Sequence, residues 1–440
     1  MPIPRLRPSR PLAVALAVSL AALAPLPAAA QSLIQLYDAA HAYDASYLAA
    51  RALYESAPYR VDQTRALLRP NVSLGATAGE VKAYLDNSPN PHNTSYGVTI
   101  TGRQPILNRP NSATIAQSER SLVSSLAELD AAEQDLMLRV SQAYFDVLGA
   151  QDTLATTRAS KAAISEQLAS ARRNFEVGTA TITDTREAQA RFDLATAQEI
   201  AAENDLRTKR IALDQLVGQS NVIPRQLRVP VVLPVPKSDV EEYVSRAAEE
   251  HPSVRRALVA YEVAQLETEK ARAQSLPTVD AVASVGNGRG LFQPGLFGQN
   301  TSIGVQLNMP IFAGGAIQNR IKETLVLEER ARNDLAAARR GVTQTTRQAY
   351  YTLLSGAAQV KALEAAEGSS QLALEATQVG YRVGIRVNVD VLNAQSQLFQ
   401  TRRDLARARY DVLLATLRLR QASGQLTPAD VLEIDRLLAP

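Results

Sequence analysis

Cysteine is absent from this 440-residue chain, and histidine occurs only at His41, His92 and His251. The first absence excludes a disulfide framework, cysteine-ligated metal and thiol catalysis together, and it removes the attachment residue of a lipid-anchored N-terminus. The wide spacing of the histidines offers no histidine cluster to a metal. Beyond residue 30 no run approaches the roughly 18 to 20 uninterrupted apolar residues of a bilayer-spanning helix, so any membrane crossing must use strands. Net charge is missing too. Residues 1–30 carry Arg5, Arg7 and Arg10, an apolar run from Leu12 to Ala24 and then Ala28-Ala29-Ala30, the pattern of a secretory signal peptide cut after Ala30. That segment takes three of the 47 basic residues and leaves 44 against 44 acidic ones. A formally neutral remainder has no electrostatic footprint for nucleic acid. No nucleophile elbow, Walker segment or zinc spacing occurs, and Gly286-Asn287-Gly288-Arg289-Gly290 precedes no helical pattern and reads as a loop. Neither an enzyme nor a cofactor is expected.

What the chain does have is a stretch that occurs twice. Gln142-Ala143-Tyr144 opens a segment ending at Gly218-Gln219, and Gln348-Ala349-Tyr350, 206 residues on, opens one ending at Gly424-Gln425. Val177-Gly178 answers Val383-Gly384, Asp184 answers Asp390, and Asp205 answers Asp411. A duplicated helical unit implies two copies of one architecture.

Each copy begins with a helical pattern, over 33–68 and again over 240–275, and passes through Pro70 or Pro277 into alternating sequence. Tyr96, Val98 and Ile100 alternate with small or polar neighbours, as do Val279, Ala281, Ala283, Val285 and Ile303, Val305, Leu307, Met309. This period of two marks sheets with one apolar face. The strand pairs read as 71–105 and 278–310, with turns over 86–93 and 286–300, and Tyr84, Tyr96, Phe292 and Phe297 are candidates for an aromatic belt at a membrane surface. Helical hairpins follow over 111–219 and 315–425. Leu122, Leu129, Leu136 and Ala143 form a heptad stripe, as do Val140, Val147 and Leu154, and Leu335, Val342, Ala349, Leu353 and Val360 repeat the device. Each long helix stops at Val-Gly and restarts, with Asp184 and Glu187 resembling a capping pair. The proline-rich linker 220–238 divides the repeats 31–219 and 239–425, Ser238 with Glu241 fits a capping box, and a short helix in 426–440 starts at Thr427-Pro428.

Four strands of about ten residues match an oblique bilayer crossing, but single-chain barrels begin near eight strands. An open sheet edge in hydrocarbon leaves backbone groups unpaired at several kcal/mol each. Copies of the chain must therefore pool their hairpins, and three copies give twelve strands.

At these residues the sequence resembles the TolC family of outer-membrane efflux and secretion channels, across essentially all of the chain after the signal segment. The most specific part is Gly380-Tyr381-Arg382-Val383-Gly384-Ile385-Arg386-Val387-Asn388-Val389-Asp390-Val391-Leu392, which looks like the family's inner-hairpin tip. The resemblance implies a mainly α fold with a membrane β-barrel: a homotrimer whose shared 12-stranded barrel sits on an α-barrel tunnel of coiled-coil hairpins, with an equatorial belt. It implies an exit duct for drugs or secreted proteins, set in outer-membrane lipid, reaching into the periplasm, and opened by a periplasmic adaptor and an inner-membrane ABC or RND transporter. By the same resemblance the closed end is latched by Asp184 with Tyr381 and by Thr183 with Arg386, and the lumen is ringed at Asp390 and Asn393. The second of those ring positions is acidic in the family and is not acidic here. Gly178 and Gly384 are notches for the adaptor. Without the family, Asp184 and Asp390 read as helix caps, Tyr381 as a packing residue and Arg386 as a solvated charge. A pore-free periplasmic coiled-coil adaptor is the competing function, although it needs only one helical hairpin.

Overall fold

A computed structural model of the chain describes residues 30–82, 92–228, 230–236, 238–289 and 296–439. The signal-peptide reading, Tyr84 and Phe292 lie outside these residues. The order is α1 (Leu33–Tyr43), α2 (Ala45–Arg65), β1 (Asn71–Lys82), β2 (His92–Leu107), α3 (Arg109–Glu176) and α4 (Ile182–Val217). The second copy repeats it as α5 (Val240–Glu250), α6 (Pro252–Ala273), β3 (Thr278–Arg289), β4 (Phe297–Asn308), α7 (Ala316–Arg382) and α8 (Asn388–Ala422), and α9 (Pro428–Asp435) closes the chain.

Where the periodicity suggested one helix before each strand pair, the chain builds two. Asp44 adopts an extended conformation (ψ 116°) and its carboxylate accepts the Tyr47 N–H at 2.8 Å, so α2 starts on a new cap. His251 is the matching break, with ψ 131°, because Pro252 disfavours the helical conformation in the residue before it. The strands also reach further into the turns than the sequence suggested: β2 begins at His92, and β3 runs through Gly286 to Arg289. The cap of α5 is Asp239 rather than Ser238.

The four strands form one antiparallel sheet in the order β1-β2-β3-β4. Register fixes its two faces, because directly paired residues point the same way. Leu74 pairs Ile100, which pairs Val285; Ala283 pairs Ile303, and Ala281 pairs Val305. Tyr96, Arg289 and Phe297 end the same face at one rim. Leu74, Ile303 and Val305 are all exposed, so this apolar face has no protein cover within the chain. The opposite face carries Ser73, Thr101, Ser284 and Ser302, with Arg103 paired to Asp280 at 2.6 Å.

Helix α3 has 68 residues and α7 has 67, each about 100 Å long at 1.5 Å per residue. Toward the sheet the neighbours run α2, α3, α6, α7, and away from it α4, α3, α8, α7. The main core lies where these layers meet a belt. Leu136, Val140, Tyr144 and Leu148 of α3, Leu413 and Leu417 of α8, Leu33 and Leu36 of α1 and Ile434 of α9 are buried together. Backbone bonds sew the belt: Gln31 N–H to the Ile223 carbonyl at 2.8 Å, Arg228 N–H to that of Leu437 at 3.1 Å, and Ala439 N–H to that of Gln226 at 2.7 Å. The Tyr144 hydroxyl, pushed above its ordinary range by burial, donates to the Arg225 carbonyl at 3.0 Å. Among the described residues no helix is long and apolar enough to cross a membrane.

Candidate gate at the helical tips

Both hairpins turn on a glycine in the left-handed region, Gly178 at φ 80° and Gly384 at φ 78°. A residue with a Cβ is strained there, which is why the helices end where they do. A Cβ at either position would meet nothing within 4 Å, so the requirement is the backbone's alone. Val177, Val383 and Ile385 stand exposed around the two turns.

The returning helices are capped one turn earlier than the sequence suggested. Thr181 is the N-cap of α4: its hydroxyl accepts the Asp184 N–H at 3.2 Å, and the Asp184 carboxylate accepts the Thr181 N–H at 3.0 Å. This reciprocal pair satisfies two orphan donors, so Asp184 caps from the third helical position and Glu187 has no part in it. In α8 the Asp390 carboxylate accepts the Val387 N–H at 3.5 Å and stands 3.7 Å from the Arg386 guanidinium. That pair is solvated and worth at most about 1 kcal/mol. The Arg386 stem crosses the last turn of α7 at Gly380, where a Cβ would lie 2.8 Å from its Cγ.

Within the chain, Tyr381 meets neither Asp184 nor Thr183. Its hydroxyl accepts the Asn174 amide at 3.1 Å. Arg386 is exposed and pairs with its own Asp390, and Thr183 is exposed on α4. The hairpins are joined by partners that sequence reasoning did not pair: Asn174 with Tyr381, and the contacts of Asn388, Arg191 and Leu392. Asn388, 2% exposed, donates to the Asp184 carbonyl at 3.3 Å and accepts from the Gln167 amide. Arg191 donates to Asn393 at 3.0 Å. Leu392 of the second hairpin is buried among Ile164, Leu168, Ala171, Ala188 and Ala195 of the first. A buried polar group joined to two partners, beside one inserted leucine, makes a shallow contact between the hairpins, in which each hydrogen bond nets about 0.5 to 1.5 kcal/mol. Signals for these residues existed. Asn388 and Leu392 sit at positions whose repeat partners are Ile182 and Arg186, so they mark places where the two copies diverge.

Further up, the Tyr410 hydroxyl donates to Asp152 at 2.6 Å across the α3–α8 seam, and burial raises the Asp152 carboxyl above the usual carboxylate range. No group of three or more His, Cys, Asp or Glu able to hold a metal exists among the described residues.

The comparisons with known proteins agree with this architecture. The family model described as "Outer membrane efflux protein" matches residues 36–219 and 243–425. The chain is 32% identical to outer membrane protein TolC of Vibrio cholerae over 414 residues, 92% of this chain and 93% of that protein. It is 31% identical to the alkaline protease secretion protein AprF of Pseudomonas aeruginosa over 408 residues, 91% of this chain and 82% of that one. The crystal structure of the Campylobacter jejuni CmeC outer membrane channel superposes with a TM-score of 0.79 at 16% identity, covering 100% of this chain and 98% of that one, which shows a shared fold. This chain belongs to the outer membrane efflux protein family: it is an outer-membrane channel protein reaching into the periplasm, and it is not an enzyme.

Proposed function

We propose that three copies of this chain make one duct, closed at its periplasmic end by the contacts just described. Channels of this family are trimers that work with adaptors and transporters. One observation carries the reading for this chain. The sheet leaves β1 and β4 each with one free edge, and the helical wall leaves α2 and α4 on one side and α7 on the other. The open edges of the two layers fall on the same two sides, so a neighbouring copy that pairs β4 with β1 also seats α7 against α2 and α4. The apolar sheet face then meets lipid and the Ser/Thr face lines the water path.

The tips are the moving part. Asn174 with Tyr381 and Asn388 with Gln167 and Asp184 hold the hairpins within one chain, while Thr183 and Arg386 stand exposed for a neighbour. Asp390 gives the lumen one acidic ring. Asn393, bound by Arg191, adds no negative charge to it. Exposed Val177 and Val383 beside Gly178 and Gly384 form an apolar rim for a periplasmic adaptor, which couples the duct to an inner-membrane ABC or RND transporter. Residues 1–30 act as the export signal. The resemblance to TolC and AprF supports drugs and secreted proteins as cargo.

The test is planar-bilayer recording on protein extracted from outer membranes. The native protein should run as a trimer with small conductance, and Tyr381→Phe combined with Arg386→Ser should raise that conductance. An unchanged conductance removes the latch while leaving the duct. A soluble monomer without conductance removes both.

A further inference from the structure

We propose that each chain carries a binding site for amphiphilic organic anions, in the cavity where α3, α6, α7 and α8 meet; it rests on reading the chain as a duct. The cavity measures about 540 Å³. Drug-sized ligands occupy pockets of about 300 to 1,000 Å³ lined mostly by apolar groups with a few placed polar ones. Its apolar floor includes Leu138 of α3 and Ala415 of α8, and the amides of Gln348 and Gln421 line it beside two cations, Arg256 and Arg418.

The arginines give the site its sign. The Arg418 guanidinium donates to the neutral Gln142 amide oxygen at 2.8 Å, and among the described residues no carboxylate lies at ion-pair distance from it. Arg256 reaches Glu128 at 3.4 Å, a pair in which both side chains are substantially exposed and which water therefore screens. Each guanidinium presents a planar fork that matches a carboxylate or sulfonate. An apolar body on the alanine floor with its acid group between Arg256 and Arg418 satisfies both halves of the lining. A cation of the same shape meets two like charges.

The site also lies on the path. α8 turns about 100° per residue, so Ala415 stands on the face opposite Leu413 and Leu417, which α8 gives to the belt core. A belt built of α1, α9 and the linker would plug the duct if it lay inside. On the duct reading it therefore lies outside, which puts the opposite face of α8, and the cavity with it, on the lumen side; the lining comes from one chain, and α7 is the one of its four helices that stands at an open edge. Organic anions moving through the duct thus meet one pausing site per chain near its middle.

Naphthalene-2-sulfonate is the probe. Titration calorimetry on the full-length trimer in lipid nanodiscs, with empty nanodiscs as blank, should show saturable binding at one site per chain. Arg256→Gln combined with Arg418→Gln should weaken it at least tenfold. Thr352→Leu, which fills the cavity from an exposed position on α7 and keeps both charges, should weaken it similarly, so the site is tested even if the double variant folds poorly. 2-Naphthylmethylammonium should bind at least tenfold more weakly than the sulfonate. A conducting trimer with no saturable binding, binding unmoved by Thr352→Leu, or equal affinity for the ammonium probe overturns the site. A protein that forms no conducting pore overturns the duct reading and the site together.

Discussion

The two halves of the chain share a plan and differ in what they do with it. Both tips turn at a left-handed glycine and both returning helices place an aspartate, Asp184 or Asp390, three positions beyond the cap. Around those shared points the side chains part company: Phe175 answers Tyr381, Thr181 answers Val387, Ile182 answers Asn388 and Arg186 answers Leu392. The first tip uses Thr181 and the Asp184 carboxylate locally, in its own capping box. The second gives up the hydroxyl cap and sends Asn388, Leu392 and Tyr381 across to the first hairpin. Backbone requirements are therefore common to both copies, and the contact that joins the two hairpins is built from their differences.

The sharpest way to break this comparison is Leu392→Ala. Large-to-small changes at buried leucines cost about 2 to 5 kcal/mol, so amide exchange in α4 and α8 near the tips should accelerate strongly and conductance should rise. The equivalent Arg186→Ala in the first copy should leave both unchanged. Next is Asn388→Ala, which leaves the Gln167 amide without its acceptor at a cost of about 1 to 3 kcal/mol. Single-channel recordings should show longer openings, and equal dwell times in mutant and wild type would count against Asn388 as a closing contact. Tyr381→Phe makes the second tip match the first and removes the Asn174 bond, worth about 0.5 to 1.5 kcal/mol. Phe175→Tyr, its mirror, should change nothing measurable by the same recordings.

The smallest effect concerns the paired helix breaks, Asp44 and His251. Hydrogen bonds from Arg139 hold the Asp44 carboxyl below its ordinary value of 3.8, whereas burial holds the His251 ring below its ordinary 6.5. Both folded values are depressed, so in each case the unfolded chain takes up the proton first as pH falls, and stability declines with acid. The windows differ. The His251 contribution is intact above about pH 6.5 and fades below it, and the Asp44 contribution fades only below about pH 4. His251→Asn should therefore flatten the loss of thermal stability between about pH 6.5 and 5, while the loss below pH 4 persists. Melting curves across that range would test it.

Periodicity carried a long way here. Heptad positions such as Val140, Val147, Leu353 and Val360 are buried where their spacing placed them, because a seven-residue repeat fixes one face of a helix whatever it packs on. The alternation of Val279, Ala281, Ala283 and Val285 likewise gave the apolar sheet face. Periodicity did not show the breaks at Asp44 and His251, since a cap interrupts a helix without disturbing the apolar stripe on either side. At the tips it showed the turn glycines and not the partners: nothing local in the sequence tells Asn388 that Gln167 and the Asp184 carbonyl, more than 200 residues away, will lie beside it.

By itself, then, the sequence determined the elements, their duplication, the two chemically distinct faces of the strands and the need for further copies to seal the sheet. Each follows from local spacing and from the cost of unpaired backbone in hydrocarbon. Only the tertiary structure decided which side chains bridge the hairpins, that the free edges of sheet and helical wall fall on the same sides, and that Arg256 and Arg418 from separate helices share one cavity. Those outcomes depend on the angular positions of helices about 100 Å long against each other, and over that distance small differences in twist, which no local pattern records, choose the neighbours.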